Sequence, residues 1–225
     1  MAESNGKSSL AAILLAAGPS SRLGESKQLV KFRGECLVRQ TARRTLGVKP
    51  ERLVVVIGCE AERVADELED LPLETVLNRD WARGMGASIA AGARALSRSV
   101  DGVLLMVCDQ WRLRAADLTH LADTWRAHPQ RIVVACWKEG RAYVTGPPVI
   151  FPGRLLQELK VIPPDRGARQ VIDQHMDDVE FVELQNAAED LDRLERRPKT
   201  PSKDTPAVKP PPAEPASRRG RRRSP

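Results

Sequence analysis

The sequence predicts an α/β domain, with a mostly parallel sheet covered by helices on both faces. Three observations carry this prediction. Short runs rich in Val, Ile and Leu recur at residues 10–15, 53–57, 103–107 and 132–135. A run without polar alternation is how a strand buried on both faces reads. Stretches of helical period lie between the runs, and parallel neighbours need such crossover connections. The first run also opens directly into a loop of small residues, at the kind of strand end where α/β sheets bind ligands.

In chain order, the first strand (10–15) leads through Ala16, Ala17 and Gly18 into that loop. A helix is expected over 36–46, where Leu37, Thr41 and Leu46 fall close to one side while Arg39, Arg43 and Arg44 face water. Strand 53–57, helix 61–68 and a short strand 73–77 come next, followed by helix 85–96, strand 103–107, helix 115–127 and strand 132–135. The pattern changes after Gly140. Residues 142–151 contain Gly146, Pro147 and Pro148 and read as extended segments around a turn. Short helices at 154–159 and 168–175 flank the Pro163-Pro164 break, with a last strand at 179–184 and a last helix at 187–196. The chain shows no internal repeat.

The chain has 225 residues, 41% hydrophobic and 29% charged, the composition of a globular protein of one domain. Its charge of +6 is unevenly spread: residues 197–225 hold nine Lys or Arg, two Asp or Glu and eight Pro. The other 196 residues sum to −1, so the basic balance gives no licence to read the folded body as a nucleic-acid binder. We expect residues 1–8 to be disordered, 9–196 to form the domain and 197–225 to be a disordered basic tail, which lacks the apolar surface to offset its ordering entropy. The cluster Arg218-Arg219-Gly220-Arg221-Arg222-Arg223 reads either as a solubilising appendage or as a contact for nucleic acid or an acidic partner.

No stretch approaches the ~20 apolar residues that span a bilayer. The apolar run 10–17 imitates a signal-peptide core, but Glu3 and Lys7 before it are weakly charged and a Gly-Pro-Ser-Ser-Arg turn follows. Cys36, Cys59, Cys108 and Cys136 form no CxxC pair, which fits a reducing cytoplasm. His120, His128 and His175 lack metal-ligand spacing.

The segment from Leu14 to Lys27 is the most informative. It carries Gly18, Gly24, Ser20, Ser21, Arg22 and Lys27 straight after a buried strand. Small residues let backbone N–H groups approach phosphate oxygens, Arg22 adds a forked donor and Lys27 a point charge. A polyphosphate suits this loop; a plain strand–helix connection with solvated basic residues is the alternative. It is not a Walker A loop, since Glu25 follows Gly24, and Gly18-Pro19-Ser20 breaks the dinucleotide fingerprint. Asp109, after an apolar run, reads either as a metal ligand or as a cap. Gly84 and Ser88 read either as contacts to a base or ribose or as helix entry and packing. Trp81 reads as a packing anchor.

Leu15-Ala16-Ala17-Gly18, Ser20, Arg22, Gly24 and Lys27-Gln28-Leu29 together resemble the signature of the MobA-like nucleotidyltransferases, nearest the molybdenum cofactor cytidylyltransferase branch. Three more segments support the resemblance in the right order. Asn78, Trp81, Gly84-Met85 and Ser88, running into Ala90-Ala91-Gly92, are similar to the family's nucleobase segment. Residues 104–110, ending in Asp109-Gln110, resemble its metal-binding strand end. Tyr143, Gly146, Pro148-Val149-Ile150-Phe151 and Gly167-Ala168-Arg169 resemble its substrate half. The similarity spans about residues 10–194.

The resemblance implies a single three-layer Rossmann-like nucleotidyltransferase domain in the cytoplasm. It implies transfer of CMP from CTP to the phosphate of molybdopterin, with pyrophosphate released and Mg2+ required. Arg22, Lys27 and Asp109 would be catalytic, and Leu15, Ala16, Ala17, Gly18, Ser20, Gly24, Gly84 and Ser88 would bind the nucleotide. Asp109, with Asn186, would hold the metal. Implied partners are CTP or another NTP, the pterin phosphate, and a molybdoenzyme of the xanthine dehydrogenase type. Ala17 hints at CTP over GTP. The sequence departs from the family at Trp111, where relatives have proline, and at the 164–169 segment, where the family's Gly-Asp-x-Gly-Ala-Arg reads Pro164-Asp165-Arg166-Gly167-Ala168-Arg169. It departs again at the 184–191 junction, where Leu184 and Asn186 replace two carboxylates. A sugar or polyol phosphate as acceptor, or a non-catalytic nucleotide-binding accessory role, remain the other readings.

Overall fold

The computed structural model describes residues 8–19, 26–96 and 100–188. The expected disordered ends, apart from Ser8, and all of the last helix beyond residue 188 lie outside these residues. The chain begins with β1 (Leu10–Ala16), a small hairpin of β2 (Lys31–Phe32) and β3 (Glu35–Cys36), and α1 (Leu37–Leu46). It continues through β4 (Arg52–Ile57), α2 (Ala61–Asp66), β5 (Glu74–Leu77), α3 (Met85–Ala95), β6 (Gly102–Val107) and α4 (Ala115–Ala127). The last part holds β7 (Ile132–Glu139), β8 (Ala142–Pro152), α5 (Leu156–Lys160), α6 (Arg169–Gln174) and β9 (Val179–Glu183).

Seven strands form one sheet in the order β5-β4-β1-β6-β8-β7-β9. β8 runs antiparallel to both neighbours, while β1 pairs parallel with β4 and β6, β4 with β5 and β7 with β9. Every residue of β1 is buried, as its unbroken apolar run predicts. Alternate residues serve two cores. Ala12, Leu14, Val55 and Met106 face Val38 of α1, Val64 of α2 and Leu118, Leu121 and Trp125 of α4. Ile13, Val54, Val56 and Leu105 face Ile89 of α3, Leu159 of α5 and Ile172 of α6. The result is the expected three-layer sandwich, with β1 in the interior of the sheet beside the central β6.

Three elements differ from expectation. Residues 142–151 do not turn; they form one strand, Ala142–Pro152. The prolines are absorbed by a register shift: Val134 faces Val149 but Ala135 faces Gly146, so Pro147 and Pro148 are passed over by the partner strand. A residue without N–H fits a sheet only at such an irregularity. The hairpin ahead of α1 was not foreseen. Its turn residues Arg33 and Gly34 both have positive φ, 57° and 87°, the conformation of a tight two-residue hairpin turn, and Gln40 secures it by donating to the Phe32 and Glu35 carbonyls. The start of the expected last helix, Ala187 and Ala188, belongs to a 3-10 turn at Gln185–Ala188.

Candidate functional site

β1 and β6 are adjacent and parallel, so the segments leaving their carboxyl ends emerge side by side. Between these segments and the start of α3 lies a cavity of about 420 Å³, within the size range of small-molecule sites. On the β1 side it is walled by Leu15, Ala17, Gly18, Lys27 and Gln28, on the β6 side by Cys108 and Asp109, and on the α3 side by Trp81, Gly84, Met85 and Ser88.

Lys27 starts a 3-10 turn, Lys27–Leu29, and its Nζ stands 3.8 Å from Asp109 Oδ2. A cation and a carboxylate thus share one wall, both largely withdrawn from water. Cys108 beside them is buried, and burial, reinforced by the Asp109 charge, pushes its thiol far above the ordinary range. The sulfur is therefore protonated at neutral pH and no nucleophile. Opposite, Ser88 is buried at 6% exposure and its Oγ accepts from Asn78 Nδ2 at 3.0 Å. Asn78 Oδ1 in turn accepts the Asp80 N–H. The amide fixes the hydroxyl's place, and the hydroxyl's own proton is left to donate to a polar edge in the cavity.

Gly84 lines the cavity, but its neighbour on the other side explains the residue type. Its φ is +127°, and a Cβ there would stand 2.4 Å from the Pro164 carbonyl oxygen. The Pro163-Pro164 bend thus packs directly against the entrance of α3, and Gly86 N–H donates to the same oxygen at 3.0 Å. Trp81 is both anchor and wall: it packs on the α3-side core and forms part of the cavity lining.

Of the residues expected at the site, Leu15, Ala17, Gly18, Lys27, Gly84, Ser88 and Asp109 line this one cavity. Ala16 does not; it packs into the opposite core and offers only its carbonyl, to Gln28. Ser20, Arg22 and Gly24 lie outside the described residues. Asn186 does not line the cavity either: its amide nitrogen donates to Asp117 Oδ2 at 2.9 Å, an oxygen that also accepts the Arg114 N–H at the head of α4. Sequence reasoning missed Gln28 as a lining residue of the cavity, although its place directly after Lys27 in the signature was the available signal. It missed Asn78 as the partner of Ser88 because the bond spans two elements.

A mostly parallel sheet with a lysine–carboxylate pair at a cavity beside the end of its first strand accords with a nucleotidyltransferase, and the family match gives that class. The chain belongs to the MobA-like NTP transferase domain family, whose model matches residues 12–179. It is 30% identical to "Nicotine blue oxidoreductase" of Paenarthrobacter nicotinovorans over 82% of this chain and 92% of that protein. Among solved structures it is similar to Rv0371c from Mycobacterium tuberculosis H37Rv, with a TM-score of 0.70 at 24% identity over 80% of this chain and 90% of the other. A second structure of Rv0371c holds manganese (TM-score 0.68, 20% identity, covering 84% and 97%). CMP:2-keto-3-deoxy-manno-octonic acid synthetase complexed with CTP shares the fold at 14% identity, with a TM-score of 0.66 over 84% of this chain and 96% of the other.

Proposed function

We propose that the protein transfers CMP from CTP to the phosphate of molybdopterin, releasing pyrophosphate. The observation that carries this reading is one cavity lined by both Lys27 with Asp109 and Ser88 with Gly84. A triphosphate beside the charged pair would have its base received by Gly84 and Ser88. The bond formed joins an oxygen of the acceptor phosphate to the α-phosphorus, and the bond broken releases the β- and γ-phosphates. Little proton chemistry is needed, because a phosphomonoester with a second pKa near ~6 is largely ionised at neutral pH. The chain's task is to gather anions and stabilise charge on the leaving group, the role of Lys27 and, from the signature, of Arg22, with Ser20 and Gly24 shaping the loop.

Asp109 is the residue that would hold Mg2+. Among the described residues no group of three or more His, Cys, Asp or Glu gathers to hold an ion by itself. A single carboxylate beside a phosphate site nevertheless fits Mg2+, which takes one or two carboxylates and completes its shell with phosphate oxygens and water. Bound there, the ion would neutralise phosphate charge. The manganese complex of Rv0371c and the CTP complex of the octonic acid synthetase support the choice of a divalent ion and of CTP. Asn186 could enter this reading only through its amide oxygen, since its nitrogen is engaged by Asp117.

The test is incubation of the full chain with CTP or GTP, Mg2+ and molybdenum-loaded molybdopterin, with pyrophosphate measured and products weighed by mass spectrometry. A CMP–pterin product is expected. A nucleotidylated sugar or polyol phosphate from a mixed acceptor pool, with none from the pterin, would move the activity to that class. Intact, tightly bound CTP would indicate an accessory binding protein. Oxidation or reduction of nicotine blue with CTP unspent would point to the activity named for the Paenarthrobacter relative.

A further inference from the structure

One buried amide ties the two ends of the anion loop together. Gln28 is 3% exposed and Ser26 4%. Gln28 Nε2 donates to the Ala16 carbonyl at 3.0 Å and to the Gly18 carbonyl at 2.6 Å, while its Oε1 accepts from Ser26 Oγ at 2.5 Å. Both amide protons are spent on the limb leaving β1, and the amide oxygen on the limb that returns to Lys27. Between those two carbonyls, that of Ala17 accepts the Cys59 N–H at 3.0 Å, so three successive carbonyls are held by the protein's own donors. In a trans peptide the C=O and the following N–H point in opposite directions. Holding the Ala16 and Ala17 oxygens therefore sets the directions of the Ala17 and Gly18 N–H groups.

The same side chain sits next to Lys27, within the single 3-10 turn Lys27–Leu29, which Leu29 N–H closes onto the Ser26 carbonyl at 2.9 Å. Displacing Gln28 would shift that turn and with it the ammonium now 3.8 Å from Asp109. No other side chain of this length meets the requirement for two donors and an acceptor. Glutamate has the shape, but as a carboxylate it offers no donor and would face two carbonyl oxygens; leucine satisfies none of the three partners.

We infer that Gln28 is a positioning residue of the nucleotidyl-transfer site: it sets the mouth of the anion loop and the place of Lys27, and acts through them, its own amide being spent on Ala16, Gly18 and Ser26. This rests on reading the cavity as the NTP site. The test uses the full chain and four variants, Gln28→Leu, Gln28→Glu, Lys27→Ala and the double variant Gln28→Leu/Lys27→Ala. Two quantities are read: the affinity for CTP with Mg2+ by calorimetry, which needs no acceptor, and kcat for pyrophosphate release. Gln28→Leu and Gln28→Glu should each lower kcat by roughly 30-fold, with a smaller loss in CTP affinity. In the Lys27→Ala background Gln28→Leu should cost markedly less than in the parent, about fivefold, because one of the two features it positions is gone and only its hold on the loop remains.

A variant within about threefold of the parent overturns the inference. So does a loss as large in the Lys27→Ala background as in the parent, which marks a role confined to folding. Should Gln28→Leu not fold, Ser26→Ala removes one of the three bonds and must show the same coupling to Lys27→Ala, with about a fivefold loss in kcat. If Lys27→Ala itself binds and turns over CTP like the parent, it is the reading of the cavity that fails. Loss in Lys27→Ala with none in either Gln28 variant refutes the role of Gln28 alone.

Discussion

Replacing Lys27 by alanine tests the charge logic of the site most directly. Its ammonium is 3.8 Å from Asp109 Oδ2, with 19% and 28% of the two side chains exposed. Two unit charges ~4 Å apart in surroundings of effective dielectric about 20 interact by about 4 kcal/mol, falling to about 1 kcal/mol in open water. A phosphate oxygen admitted beside Lys27 meets the partly shielded case. Removing the cation also leaves Asp109 facing the triphosphate without its counter-charge. The loss of transition-state stabilisation should therefore be about 2–4 kcal/mol, the cost of deleting one electrostatic donor from an enclosed site. That corresponds to a fall in kcat/KM for CTP of about 30- to 1000-fold. Initial rates of pyrophosphate release at saturating Mg2+, over a range of CTP concentrations, measure it. A variant whose kcat/KM stays within about threefold of the parent would refute the placement of the triphosphate at this wall.

Further outcomes follow from the same coordinates. Asp109→Asn keeps the shape of the side chain in the cavity wall but removes the charge a hard cation needs; a Mg2+ titration of activity should shift to much higher concentration while the melting temperature stays near that of the parent. Gly84→Ala sets a Cβ 2.4 Å from the Pro164 oxygen at φ +127°, so urea unfolding should show about 2–3 kcal/mol of destabilisation; an unchanged midpoint would mean the bend yields freely. The Asp70 carboxyl is held down to about 2, chiefly by its hydrogen bonds from Arg39, at 2.5 and 2.7 Å. A depressed carboxyl lends stability that is complete above its ordinary value and fades as pH falls toward the folded value. The parent should therefore be more stable than Asp70→Asn at neutral pH and lose that advantage between about pH 4 and pH 2; parallel acid limbs for the two would remove Asp70 as a contributor.

Most of the sheet was legible because burial on both faces leaves its mark in composition. The runs at 10–15, 53–57 and 103–107 became three adjacent, parallel strands, and the small-residue loop after the first could be read as an anion site before any coordinates. Asp109 was legible as the first charged residue after an apolar run. The hairpin at Lys31–Cys36 was not, since each strand has two residues and carries no period. Nor was the continuity of Ala142–Pro152: local chemistry marks Gly146-Pro147-Pro148 as a turn, whereas the register shift opposite lets the strand run on.

By itself, the sequence determined the class of the fold, the order of its longer strands and helices, and seven of the residues that line one cavity. Those properties depend on hydrophobic period and on spacing along the chain, which are local. Only the tertiary structure decided which side chains act together. Gln28 closing the loop through Ala16, Gly18 and Ser26, Ser88 held by Asn78, Gly84 against Pro164 and Asn186 committed to Asp117 are hydrogen bonds and close contacts of defined direction. Several of them join segments far apart in the chain, and their partners are chosen by where the packed sheet brings the backbone together.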